Sequence, residues 1–109
     1  MPRYLVLASY NESGIKALAS HPQDRVSGVS QLIEQHGGKL ISFDYGLGEH
    51  DVVAIYEAPD DVTAATLALA FQKPGHLKNF TTTRLISPDE MMQAMQKASG
   101  TEYQAPRHG

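Results

Sequence analysis

The order in which hydrophobic patterns follow one another is what most restricts the fold of this chain. Short aromatic and β-branched runs with a period of two alternate with stretches whose apolar residues recur every three or four positions. Residues 4–10 (Tyr-Leu-Val-Leu-Ala-Ser-Tyr) read as a strand, closed by the turn residues Asn11-Glu12-Ser13-Gly14. Two further runs, 39–45 and 50–58, are separated only by the glycine-bearing segment 46–51 and therefore pair as a hairpin. A fourth run, 76–86, alternates and is rich in Thr, as suits a half-buried strand.

Between the first two strands, Ile15, Leu18, Val26, Val29, Leu32 and Ile33 put one apolar stripe on a helix. Pro22 interrupts it, and Ser20-His21-Pro22-Gln23 has the form of a capping box from which the main helix restarts. Gly37-Gly38 ends it. After Pro59, Asp60-Asp61 caps a second helix, apolar over most of its girth and so expected to be buried on more than one side. Ser87-Pro88-Asp89-Glu90 starts a third, with Met91, Met92 and Met95 on its apolar side as a candidate oligomer seam.

The resulting order, β-α-β-β-α-β plus a C-terminal helix, specifies an α+β, ferredoxin-like plait: a four-stranded antiparallel sheet with helices on one face. A chain of 109 residues supports one core, so residues 1–98 form a single domain. The remainder, 99–109, has too few apolar groups to offset ordering and reads as a loose tail or docking arm. His108 falls in that tail, and His21 and His36 at helix ends, all three read as incidental.

Composition removes several classes of function. The net charge is −3 and the nine Lys and Arg are scattered, so no basic stripe exists to neutralise phosphates of nucleic acid. There is no cysteine, hence no disulfide, thiolate nucleophile or cysteine-rich zinc site. No signal-like or membrane-length apolar segment is present, which makes the cytoplasm the expected location.

Gly48-Glu49-His50-Asp51-Val52-Val53 following Gly37-Gly38-Lys39, and then Glu57-Ala58-Pro59-Asp60-Asp61, resemble the GYD domain family, small bacterial and archaeal proteins without an assigned reaction. The resemblance runs from Tyr4 to about Met95. It implies a fold akin to the dimeric α+β barrels, in which two four-stranded sheets face one another. It also sets His50 at the tyrosine position of the family's Gly-Tyr-Asp element, so phenol chemistry there is absent or replaced by imidazole.

A hairpin loop of two or four residues would set Tyr45 opposite His50 and Asp44 opposite Asp51, bringing two carboxylates side by side, against a solvated rim, a cation or Arg84. Alternation then assigns Leu5, Leu7, Ile41, Phe43, Val52, Ala54 and Leu85 to the helix-covered face. Tyr4, Val6, Ala8, Tyr10, Asp44, Asp51, Val53, Ile55, Glu57, Phe80, Thr82 and Arg84 fall on the other, a mixed surface best covered by a second subunit.

These assignments lead to three expectations. The first is a homo-oligomer, a dimer or dimer of dimers, that binds a small ligand in a cavity at the sheet-to-sheet interface, with Tyr10, Tyr45, Asp44 and Arg84 as ligand-binding candidates. The second is a cofactor-independent enzyme, monooxygenase or isomerase, with His50 as acid or base, Asp51 or Asp44 orienting it and Arg84 holding an anion. The third is a structural or regulatory oligomer. A metal set of His50, Asp51, Asp44 and His76 lacks any local ligand spacing, so neither metal nor cofactor is expected.

Overall fold

The computed structural model describes residues 1–107; His108 lies outside the described residues. Its elements are β1 (Arg3–Tyr10), α1 (Glu12–Ser20), α2 (Arg25–Gln35), β2 (Lys39–Tyr45), β3 (Val52–Glu57), α3 (Asp61–Gln72), β4 (Leu77–Leu85) and α4 (Pro88–Ser99). The strands form one sheet in the order β2-β3-β1-β4, every neighbour antiparallel. This is the expected plait, with the first crossover helix split in two.

Side chains that satisfy free backbone groups set most helix boundaries. Asn11 caps α1 by accepting from the Gly14 amide at 2.9 Å, so the residues read as a turn are the first turn of a helix. The break near Pro22 is real, but Asp24 rather than Ser20 caps α2. Its Oδ1 accepts from the Val26 and Ser27 amides and its Oδ2 from the Ser27 hydroxyl. These bonds, the Ser27 hydroxyl first, hold the Asp24 carboxyl below its usual pKa. Asp60 caps α3 and Ser87 with Glu90 closes the box on α4, as the sequence predicts. Gly37 ends α2 at φ +80°, a conformation that only a residue without a Cβ adopts freely.

Register corrects the assignment of faces. In β1 and β3, Tyr4 pairs with Tyr56, Val6 with Ala54 and Ala8 with Val52, and all six are buried under the helices with Ile33 of α2 and Leu67 of α3. In β2 and β3, Phe43, Val52 and Ala54 lie under the helices and Asp44, Val53 and Ile55 on the open side, as expected, but the bulge at Ile41 leaves that residue exposed and puts Leu40, opposite Tyr56, on the covered side in its place. The faces of β1 and β4 are inverted. Leu5 and Leu7 lie on the open face with Thr81, Thr83 and Leu85, and Thr82, Arg84 and Phe80 pair with the covered residues Val6, Tyr4 and Ala8. Both alternating sets of β1 are apolar, so periodicity cannot choose between them. The ring of Tyr4 stacks on that of Tyr56, centroids 5.3 Å apart, and its hydroxyl donates to Asp61 Oδ1 at 2.6 Å where α3 begins. That bond requires the even-numbered residues to face the helices.

Two helices leave apolar side chains without cover in one chain. On α3 only Ala64 and Leu67 are buried, while Val62 and Leu69 are 77% and 72% exposed, so the expected burial on more than one side is absent within a single chain. The whole of α4 is exposed, and the radius of gyration, 18.0 Å, exceeds the value of about 13 Å for a compact domain of this length. Helix α4 therefore extends as an arm.

The tyrosine pair makes the fold sensitive to alkali. Burial, and then the neighbouring Tyr4, push the Tyr56 phenol up to about 12, and burial followed by the Asp61 hydrogen bond raises that of Tyr4. A pKa raised on folding contributes stability that is complete below the unfolded value of 10.0 and lost as pH rises through the folded one. Ultraviolet titration of phenolate should therefore show two tyrosines ionising together with unfolding between those values. Tyr56→Phe, which removes one titrating group, should move the alkaline unfolding midpoint upward.

Candidate binding cleft

The residues singled out around the hairpin do not form a single site. The loop joining β2 to β3 runs from Gly46 to Asp51 and is closed by the Gly46 amide donating to the Asp51 carbonyl at 2.9 Å. Tyr45 thus pairs with Val52 and Asp44 with Val53, two residues further on than a shorter loop would allow. A register shift at Ile41 then leaves Ser42 opposite Ile55 and Leu40 opposite Tyr56. The two aspartates are therefore not opposite one another: Asp44 lies exposed on the open face, and Asp51 is drawn to the end of β1. There its amide donates to the Ala8 carbonyl and its Oδ2 accepts from the Tyr10 amide, both at 2.9 Å.

Arg84 is further away still. It pairs with Tyr4, six residues along β1 from Tyr10, which at about 3.3 Å per residue separates it by roughly 20 Å from the hairpin end. It sits beside Asp61, Nε to Oδ1 3.8 Å, in a solvent-exposed ion pair with that carboxylate. His50 lies in the loop with its Nδ1 buried and without a hydrogen-bond partner among the described residues, while Asp51 is engaged by Tyr10. His76 is placed apart from both: its Nδ1 lies 3.2 Å from the Ser13 hydroxyl. Among the described residues no group of three or more His, Asp or Glu could hold a metal ion.

The sheet and helices do enclose a cleft, on the covered side rather than the open one. Its volume is about 300 Å³, with a floor of Val6, Ala8, Val52 and Ala54 from the central strands and walls of Ala17 and Leu18 from α1, Val29 and Ile33 from α2, and Phe71 and Phe80. It exists because alanines occupy facing positions where larger side chains would fill the layer. Gly14 lets α1 approach closely, since a Cβ there would overlap the His76 carbonyl oxygen. A sealed void of this volume would cost on the order of 7 kcal/mol at ~24 cal/mol per Å³, comparable to the whole stability of a small domain. The cleft is instead partly open to solvent, and its lining includes the polar side chains of Tyr10, Gln23, Arg25 and His76, of which Gln23 and Arg25 are exposed.

Of the sequence candidates, Tyr10, Tyr45 and Asp51 come together, with Ile15 and Leu18 of α1. Tyr45 is 55% exposed and lies edge-on to Phe43. Burial raises the Tyr10 phenol above its ordinary pKa, with Tyr45 and Asp51 adding and Arg25 opposing, so it remains a neutral donor at neutral pH. Sequence reasoning missed Gln23, Arg25, Phe71 and the cleft itself. The available signal was the set of alanines at 8, 17 and 54, legible only once strand register and helix position are known.

A four-stranded antiparallel plait with helices on one face and an open apolar cleft beneath them is a small α+β domain. The chain belongs to the GYD domain family, whose model matches residues 4–95. A Thermus thermophilus protein described as glutamine synthetase and cystathionine beta-lyase binding protein is 32% identical over 82 residues, which is 74% of this chain and 85% of that protein. The crystal structure of MtbAldR aligns with a TM-score of 0.57 at 14% identity, over 79% of this chain and 52% of that one, so this chain spans about half its length. At that identity the likeness is one of fold. No helix among the described residues is long and apolar enough to cross a membrane.

The Asp51 contacts make a stability prediction that separates scaffolding from chemistry. Asp51→Ala leaves the Tyr10 amide without its acceptor and should lower stability by about 1–3 kcal/mol in urea unfolding. Asp51→Asn, which retains an acceptor oxygen, should lose less than half of that.

Proposed function

We propose that the chain is a non-catalytic binding protein that docks, as a homodimer, on an enzyme of amino-acid metabolism of the glutamine synthetase or cystathionine beta-lyase kind. The observation that carries this reading is the pair of apolar surfaces left bare in one chain. Leu5, Leu7, Val53, Ile55 and Leu85 share the open sheet face, and Met91, Met92 and Met95 are exposed on the projecting α4. An antiparallel sheet with one apolar face uncovered is normally packed against a second layer. A two-fold axis through that face supplies one from an identical chain, and only Ile86 and Ser87 separate β4 from α4, so the arm leaves at the edge of the same surface. The choice of partner enzyme rests on the binding role that the name of the Thermus thermophilus relative gives to that protein.

A catalytic reading has one observation in its favour, the buried and unpartnered Nδ1 of His50. Against it stand the engagement of Asp51 by the Tyr10 amide and the distance of Arg84 from the hairpin.

Sedimentation or light scattering should give twice the chain mass of 11.9 kDa, and Val53→Glu on the open face should give a folded monomer. Against purified glutamine synthetase and cystathionine beta-lyase from the same organism, calorimetric titration should show binding to at least one of the two. A monomeric native protein, or failure to bind either enzyme, would sink the reading.

A further inference from the structure

We propose that the cleft between the sheet and helices α1 and α2 is a binding site for a small apolar monocarboxylate, held by its carboxylate at Arg25 and by its body against Phe71 and Phe80. This site is separate from the docking surface and does not depend on it.

The size and lining of the cleft specify the body. At about 300 Å³ it has room for about ten water-sized groups. An ordered water needs two to four polar partners, and Val6, Ala8, Val29 and Ala54 provide no side-chain donor or acceptor. An apolar molecule has no such requirement and regains the dispersion contacts that the missing side chains forfeit. The Phe71 and Phe80 rings, centroids 6.3 Å apart and tilted by 33°, pack on one another and form one aromatic wall of the cleft, against which an aromatic ring stacks or packs edge-on, so an aromatic ring is the body that best complements it.

The polar lining of the cleft specifies the head group. Arg25 is the sole Lys or Arg of the lining, which contains no Asp or Glu. Its guanidinium donates only to Gln23 Oε1, at 3.3 Å, and no carboxylate lies within ion-pair distance of it among the described residues. The adjacent Asp24 is turned to the cap of α2 and forms no ion pair with Arg25 among the described residues. A guanidinium with its fork free matches a carboxylate by two parallel hydrogen bonds. Tyr10, in the same lining, adds a neutral O–H donor. One cation without a second favours a single carboxylate over a dicarboxylate or a phosphate.

The test uses 3-phenylpropanoate, with its uncharged amide as control, in calorimetric titration and in NMR of the intact protein. The acid should bind one per chain and shift resonances of Val6, Val29 and Phe80. The amide should bind at least tenfold more weakly, and Arg25→Ala should lose at least tenfold for the acid with no change for the amide. Ala17→Leu, which fills the cleft from α1, should abolish binding, and Arg25→Ala keeps the test valid if that variant misfolds. No saturable binding, equal binding of acid and amide, or shifts confined to Leu5, Leu7 and Val53 on the open face would overturn the assignment. So would acid binding that appears only on dilution to monomer, since α4 of a second copy would then be the natural occupant.

Discussion

The stacked pair of Tyr4 and Tyr56, tied through the Tyr4 hydroxyl to Asp61, is the contact on which the arrangement of layers depends. It lies across the two central strands and reaches the first turn of α3, so it joins sheet and helix layer at one point. Because side chains alternate along a strand, anchoring Tyr4 beneath the helices commits Val6, Ala8 and Tyr10 to the same face and sends Leu5 and Leu7 to the other. The identity of the covered face, the position of the cleft and the composition of the open face all follow from that commitment.

The cleft follows from small residues on the covered side. Ala8 and Ala54 are diagonal neighbours on adjacent strands, paired with Val52 and Val6, and Ala17 of α1 lines the same cleft. Close approach of helices to a sheet normally fills such a space with Leu, Ile or Phe. Here Phe71 and Phe80 stand at one side and Val29 and Ile33 at the other, and the middle is left open. The stability of the layer is carried by the Tyr4 end, where the packing is tight.

The hairpin that draws attention in the sequence has a structural task first. Asp51 satisfies the end of β1 through two hydrogen bonds, and in doing so lengthens the loop and moves the register by two residues. A shift of two preserves faces, which is why Asp44, Val53 and Ile55 were correctly placed on the open side while the pairing of Asp44 with Asp51 was not. His50, in the same loop, retains a buried nitrogen without a partner among the described residues.

The sequence by itself determined the element order, the antiparallel plait, the caps at Asp60 and Ser87 and the end of α2 at Gly37, because these depend on local periodicity and on hydrogen bonds between residues three or four apart. Even the break at Pro22 was local, although Asp24 rather than Ser20 proved the better acceptor for the amides behind it. Only the tertiary structure decided which face of β1 is covered, since two apolar sets compete and the choice rests on a bond from Tyr4 to Asp61, 57 residues away. It alone also separated Arg84 from the hairpin and brought Arg25 to the lining of the cleft. Those are distances between elements, set by register and layer packing, and alternation along one strand carries no information about them.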